Sequence, residues 1–351
     1  MPYLRKKSMS SIHQRFESLT EGWNYDQRQT PLSDYLLKFG VLHMMMLDHH
    51  LQAAERLGDI LFSGAYLDWC YQRKQDDFAP LMLIWRALGI EQSKYFYVKA
   101  MRKLHIQNPA HFSIVRQVVE FVRDAYGKSI AVEVATLSKE AHQKHLDKES
   151  YDLSESYRQL ALSLKSNGSA EEGLPFMREA LDIQRRLLSI ENPSLYVSVN
   201  SLASMLNTLK KYEESEALFV EAMENRTRLL GEEHPKTLIS IASYAFLLNK
   251  TKQYKKAHDY QKKVYQLRRK ILGFKHTKTL ISCYHYGVCL RELGYLTKSM
   301  DMFQVCYQYR MELLGEEHRM TNNAQKALLG VQIRLQKALQ KFPKEQSPFD
   351  I

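Results

Sequence analysis

LGEEHP (Leu230–Pro235), LGFKHT (Leu272–Thr277) and LGEEHR (Leu314–Arg319) are three copies of one six-residue link, each beginning 42 residues after the last. Two fainter copies stand in the same phase, LSIENP at Leu188–Pro193 and LHIQNP at Leu104–Pro109. A fixed period between roughly 20 and 50 residues marks stacked supersecondary units, none of which can bury its apolar face alone. The link therefore decides the fold class before any local propensity is read.

Between links, small residues recur where two helices must cross closely. They stand at Ala161, Ala203, Ala245 and Gly287, and twelve residues on at Gly173, Ser215, Ala257 and Ser299. Leu160, Leu202, Tyr244 and Tyr286 are in phase, as are Leu164, Leu206, Leu248 and Leu290, and the two sets share one stripe of a first helix. A second helix carries Ala180, Ala222, Val264 and Cys306 and ends in a pair such as Leu229/Leu230 or Ile271/Leu272. Each unit is thus expected to be a helical hairpin. Gly231, Gly273 and Gly315 supply positive φ just past a helix end. Pro235 suits a first helical turn, where its missing N–H has no partner to lose.

This small–large pattern resembles the tetratricopeptide repeat, whose signature places small residues at three fixed positions. The usual period is about 34 residues, so the added residues read as a longer second helix plus the link, a variant similar to the repeats of kinesin light chains. The resemblance implies an all-α, right-handed superhelical solenoid of antiparallel hairpins. Hairpins are expected at roughly 110–146 (degenerate), 152–189, 194–231, 236–273 and 278–315. A capping helix with Ala324, Ala327, Leu328, Val331, Leu335 and Leu339 at helical spacing follows. The expected organisation is a flexible amino terminus (1–32), a helical non-repeat region (33–108), the array (109–319), the cap (320–342) and a tail (343–351). The stretch His49–Lys74 is similar to the helices between the NTPase engine and the repeats of some large nucleotide-binding signalling proteins. No GxxxxGK[ST] phosphate loop accompanies it.

The net charge of +11 is uneven, because Lys250–Lys278 carries eleven Lys or Arg against the single acid Asp259. Compensation by Glu213, Glu214, Glu216, Glu221 and Glu224 of the preceding helix is the first reading. An acidic-peptide surface is the second, and nucleic acid the least favoured. Cys70, Cys283, Cys289 and Cys306 show no CxxC spacing, which points to thiols in a reducing compartment. Neither a secretory signal nor a membrane span is expected, so the cytoplasm is the expected location; an acid-free start up to Phe16 keeps a mitochondrial transit peptide as the alternative.

No catalytic residue, cofactor or metal is expected. His43, Asp48 and His50 lack the strand-end setting of metal phosphoesterases, and Lys139, Lys144 and Lys148 surround His142 and His145. His234, His276 and His318 repeat with the link and are expected to hold the hairpin junction.

In the resembling family, the first helices of successive hairpins line a groove that holds an extended peptide. The corresponding positions here are Arg158, Asn200, Ser204, Asn207, Phe246, Asn249, Lys250, Tyr284, His285 and Arg291. Side-chain amides donate and accept at once, which suits a peptide backbone, while Lys250, Arg291 and Arg158 favour an acidic ligand. The expected function is an adaptor or scaffold for a peptide or protein partner. The alternatives are a regulatory sensor with an NTPase partner and, weakest, a metal-dependent hydrolase.

Overall fold

Residues 128–341, with six positions between 115 and 123, are the part of the chain that the computed structural model describes. The regions 1–32, 33–108 and 343–351, and with them His43, Asp48, His50, Cys70 and the stretch His49–Lys74, lie outside the described residues. Contacts divide the chain into two compact units, Met1–Ser189 and Ile190–Ile351.

The described residues are all-helical. The first unit holds α1 (Lys128–His145), α2 (Tyr151–Asn167) and α3 (Ala170–Leu187). The second holds α4 (Leu195–Thr208), α5 (Tyr212–Leu230), α6 (Pro235–Lys250), α7 (Tyr254–Leu272), α8 (Thr277–Glu292), α9 (Leu296–Leu314) and α10 (Arg319–Lys341). Within each unit every helix packs on the next, and in the second unit α4 also touches α6, α6 touches α8, and α8 touches α10. This is the architecture of a stack of antiparallel hairpins, in which first helices line up beside one another.

Four columns of residues, each spaced by the repeat, show how the sequence writes this pattern. The turn inside each hairpin needs a left-handed residue, and the position is filled by Gly168 (φ 98°), Lys210 (φ 61°), Lys252 (φ 62°) and Gly294 (φ 86°). The amide that follows closes the helix end, as in Lys211 N to Leu206 O at 2.9 Å and Gln253 N to Leu248 O at 2.8 Å.

The link between hairpins uses a different conformation. Gly231, Gly273 and Gly315 have φ near 80° but ψ of 163°, 172° and 172°. That extended, positive-φ region is open in practice only to glycine. It is a stricter demand than the positive φ expected from the sequence.

The residue three beyond each link glycine caps the next helix. Nδ1 of His234, His276 and His318 accepts the backbone N–H two residues on, at 3.1 Å in each case. In the same column Ser150 Oγ accepts from Leu153 N and Asn192 Oδ1 from Ser194 N. Ser150 and the three histidines each satisfy one of the donors that a helix start leaves open, while Asn192 bonds the residue just before α4.

The small residues let the two helices of a hairpin touch. Ser215 Oγ donates to Ala203 O, and Ser299 Oγ to Gly287 O, each at 2.7 Å. A Cβ on Gly287 would stand 3.0 Å from the Phe303 ring, so the last hairpin has closed to glycine's dimensions. Around these crossings lie the buried clusters, for example Ala203, Phe219, Tyr244, Leu247, Leu248 and Ala257 in the second unit. Each large side chain so enclosed contributes roughly 1.5–3 kcal/mol relative to an exposed one.

Candidate functional site

The first helices of the second unit carry nine of the ten residues singled out from the sequence. Asn200, Ser204 and Asn207 are on α4, Phe246, Asn249 and Lys250 on α6, and Tyr284, His285 and Arg291 on α8. Lys250 is exposed and the other eight are half-buried.

One of the aromatic contacts crosses from α6 to α8. The Phe246 and His285 rings meet edge-on at 5.2 Å, Tyr284 and His285 at 5.6 Å, and Lys250 Nζ stands 5.7 Å above Phe246. Arg291 is bonded by Nε to Glu292 Oε1 at 2.7 Å, and Arg334 of α10 approaches the same carboxylate at 3.6 Å. Burial, then the charges of Arg310 and Arg268, push the His285 imidazole down to about 4, so it is neutral at physiological pH.

The amides are the chemically unusual part. Oδ1 of Asn200, Oδ1 of Asn207 and both Oδ1 and Nδ2 of Asn249 are buried and have no hydrogen-bond partner among the described residues. Asn207 and Asn249 are one repeat apart, in the last turns of α4 and α6. Buried polar atoms are nearly always paired. Leaving one unpaired costs roughly 1–3 kcal/mol.

Arg158 sits in the first unit and is differently employed. It is 8% exposed and grips Glu155 with Nε and Nη2, the shorter bond being 2.6 Å. Gln184 completes the cluster from α3 through Glu155 Oε1 at 2.8 Å. The Arg158 charge is thereby taken up inside the fold.

What the sequence reading missed is a ladder of arginines behind this face. Arg226, Arg268 and Arg310 stand one repeat apart and are 3%, 6% and 3% exposed. Arg268 of α7 reaches forward to Ser282 Oγ on α8 at 2.7 Å and back to Leu238 O on α6 at 3.3 Å. Arg226 makes the forward bond to Ser240 Oγ at 2.7 Å. Arg310 bonds Met320 O on α10 and Leu280 O on α8. The bonds described for these guanidinium groups go to hydroxyl and carbonyl oxygens. Burial pulls Arg226 down to about 10 and lowers Arg268 as well. Aligning the repeats on one another would have exposed the column, since Gln184, Arg226, Arg268 and Arg310 make one helix position polar in all four repeats.

Among the described residues no group of three His, Cys, Asp or Glu side chains is placed to hold a metal. Nor is any described helix long and apolar enough to cross a membrane.

A tetratricopeptide-repeat family profile matches residues 153–194, and a second matches residues 194–270. Residues 153–270 are tetratricopeptide repeats. Among solved structures, the array is similar to the nearly identical TPR-like repeats of a candidate kinesin light chain of Podosopora anserina. The identity is 19%, over 60% of this chain and 100% of that one, with a TM-score of 0.50. It is also similar to BtubC (BKLC) from P. vanneervenii, at 17% identity over 68% of this chain and 94% of that one, with a TM-score of 0.52. No curated protein matches the chain. At these identities the solved structures speak to the fold alone, a helical repeat array. The face of α4, α6 and α8 is thus the first-helix face of a tetratricopeptide array.

Proposed function

We propose that the chain is an interaction scaffold whose tetratricopeptide array holds an extended segment of a protein partner along α4, α6 and α8, without turnover. The observation that carries this reading is the set of unpaired amide atoms on Asn200, Asn207 and Asn249. A peptide backbone presents alternating N–H and C=O groups at a spacing that side-chain amides can pair with, and pairing them relieves the penalty the free chain bears. Phe246, Tyr284 and His285 give the segment an aromatic floor, and Lys250 biases it towards acidic side chains. Arg291 contributes less charge than its sequence suggests, because Glu292 is bonded to it. The three buried free thiols suit a reducing compartment, and the cytoplasm is the location we propose.

The test is affinity capture from native lysate with the intact chain beside an Asn207→Ala/Asn249→Ala/Arg291→Ala variant, read by mass spectrometry. A protein held by the first and lost by the second supports the groove. An NTPase among such proteins would make the chain a sensor for it. Identical captures by both chains would overturn the assignment of these residues.

A further inference from the structure

The exposed faces of α5 and α7 carry opposite charge at matching positions. The two helices are 19 residues long with bounds one repeat apart, and each packs against α6. Each is antiparallel to α6, so the two run parallel, and a residue of α5 stands level with its counterpart one repeat later on α7. Glu213 is matched by Lys255 and Glu214 by Lys256, all four exposed, and half-buried Glu221 by half-buried Lys263. Glu224 adds an exposed acid to α5, and Lys262 an exposed base to α7.

The glutamates of α5 are the compensation expected for these lysines. The described ion pairs of the α7 lysines go instead to the link before α6, Lys263 to Glu232 and Lys270 to Glu233. The side chains of Glu213, Lys255, Lys256 and Lys262 have no partner among the described residues. Two stripes of opposite sign therefore stand on one face of the second unit, on the row of second helices rather than the row that carries the proposed peptide groove.

That arrangement selects its partner. A nucleic acid or an anionic membrane drawn to the lysines would meet Glu213, Glu214 and Glu224 on α5 and be repelled there. A fitting partner presents both signs side by side at the same spacing, as the same face of a second copy does. In a two-fold pair each contact is made twice, with the two residues exchanging roles. An axis parallel to α5 and α7 and midway between them sets α5 of one copy along α7 of the other in the same direction. Glu213 then faces Lys255 of the second copy, and Glu214 faces its Lys256. At exposed positions the one like-charged match is Arg228 against Lys270. Both are already held by glutamates, Arg228 by Glu191 at 2.8 Å and Lys270 by Glu233 at 2.7 Å.

We propose that the exposed faces of α5 and α7 join two copies of this chain in a two-fold pair, through Glu213 with Lys255 and Glu214 with Lys256. Exposed ion pairs are individually weak, so the pair forms transiently and is sensitive to salt. The peptide groove takes no part in it.

The test is analytical ultracentrifugation of the full-length chain at rising concentration, in low salt and in 1 M salt. The expected result is a mass rising towards twice that of the monomer in low salt, with association weakened at least tenfold in 1 M salt. Lys255→Glu/Lys256→Glu and Glu213→Lys/Glu214→Lys should each weaken self-association at least tenfold, because each makes both stripes the same sign. An equimolar mixture of the two variants should recover the dimer, since one then supplies only acids and the other only bases. Lys326→Glu/Lys337→Glu on α10 changes the net charge as much as the first variant and should leave association unchanged. Circular dichroism establishes that the variants are folded, and the salt series on the intact chain stands whichever of them folds. A monomer at every concentration, association indifferent to salt or to the α5 and α7 reversals, or a mixture that stays monomeric would overturn the proposal. So would a chain that remains monomeric and binds a short single-stranded RNA through Lys255 and Lys256, which would make the basic stripe a polyanion surface.

Discussion

Lys275 Nζ lies 3.1 Å from Glu312 Oε2, on the two positions that Glu233 and Lys270 hold one repeat earlier with the charges exchanged. Glu191 with Arg228 occupies the same pair of positions at 2.8 Å, and Glu149 with Arg186 at 3.2 Å within the first unit. The pairing belongs to the position, and its sign is free. Lys275→Glu should therefore cost about 0.5–1 kcal/mol, and the Lys275→Glu/Glu312→Lys double variant should recover it. Thermal melts at low salt read the difference, which should shrink in 1 M salt. Equal melting of the single and double variants would refute the pairing.

Lys210 and Lys252 hold a left-handed conformation, with φ of 61° and 62°, in turns where the first and last hairpins use Gly168 and Gly294. A Cβ in that region meets the following carbonyl, at a cost of about 1 kcal/mol. Lys210→Gly and Lys252→Gly should each raise stability by about 0.5–1 kcal/mol despite the greater freedom of glycine when unfolded. Gly168→Ala should lower it by a similar amount. Denaturant midpoints that move the other way would show that the lysine side chains do something more in these turns.

How far the fold was legible follows from the same columns. The link glycines, the small residues at Ala203, Ala245 and Gly287, and the paired leucines are recognisable because backbone conformation and close approach admit few residue types. The histidines of the link were readable as junction residues for the same reason. The arginine ladder shows only when the repeats are aligned, and it escaped because its partners, backbone carbonyls and hydroxyls, leave no matching acid in the sequence to mark the burial. Arg158 escaped because its position one turn after Glu155 looks like any solvated pair, and only the hairpin around it shows the burial. The ion-pair column was hard to read residue by residue, since its partners stand 37 residues apart and the charges exchange in the last pair.

Arg268 ties α6 to α8 through Leu238 O and Ser282 Oγ, and so sets the spacing of the first helices. Arg268→Met keeps the stem and removes the donors, and should cost roughly 2–4 kcal/mol. Arg268→Lys should recover little of this, because a single ammonium cannot span both helices as a planar fork does. Chemical denaturation monitored by circular dichroism checks it. A lysine variant as stable as the parent would mean that charge alone, rather than the bridge, matters here.

His142 is fully buried, and burial pushes its imidazole down to about 4 while Nδ1 stays 2.6 Å from Ser138 O. The unfolded chain keeps the ordinary value near 6.5 and binds the proton first. Stability from this group is complete above about pH 6.5 and declines as pH falls towards 4, by up to roughly 3 kcal/mol. His285 acts in the same direction in the second unit. Comparing denaturant midpoints at pH 7 and pH 4.5 for the parent and for His142→Gln isolates the histidine from the carboxylates. An equal drop in both proteins would remove His142 as the cause.

Asn249 separates binding from folding most sharply, because neither of its side-chain heteroatoms has a partner among the described residues. If those atoms served the fold, replacing them would weaken it. If they are kept for a ligand, Asn249→Ala removes a desolvation penalty and gains helix propensity, and the free protein should become more stable by about 1 kcal/mol. Asn207→Ala should follow the same rule with a smaller gain, since only its Oδ1 is orphaned. The partner recovered by affinity capture should bind both variants more weakly. A peptide amide left facing alanine loses a hydrogen bond worth about 0.5–1.5 kcal/mol. A variant that is both more stable and a poorer binder is the signature of a residue held for function, whereas one that is less stable and binds normally would return Asn249 to the structural frame of α6.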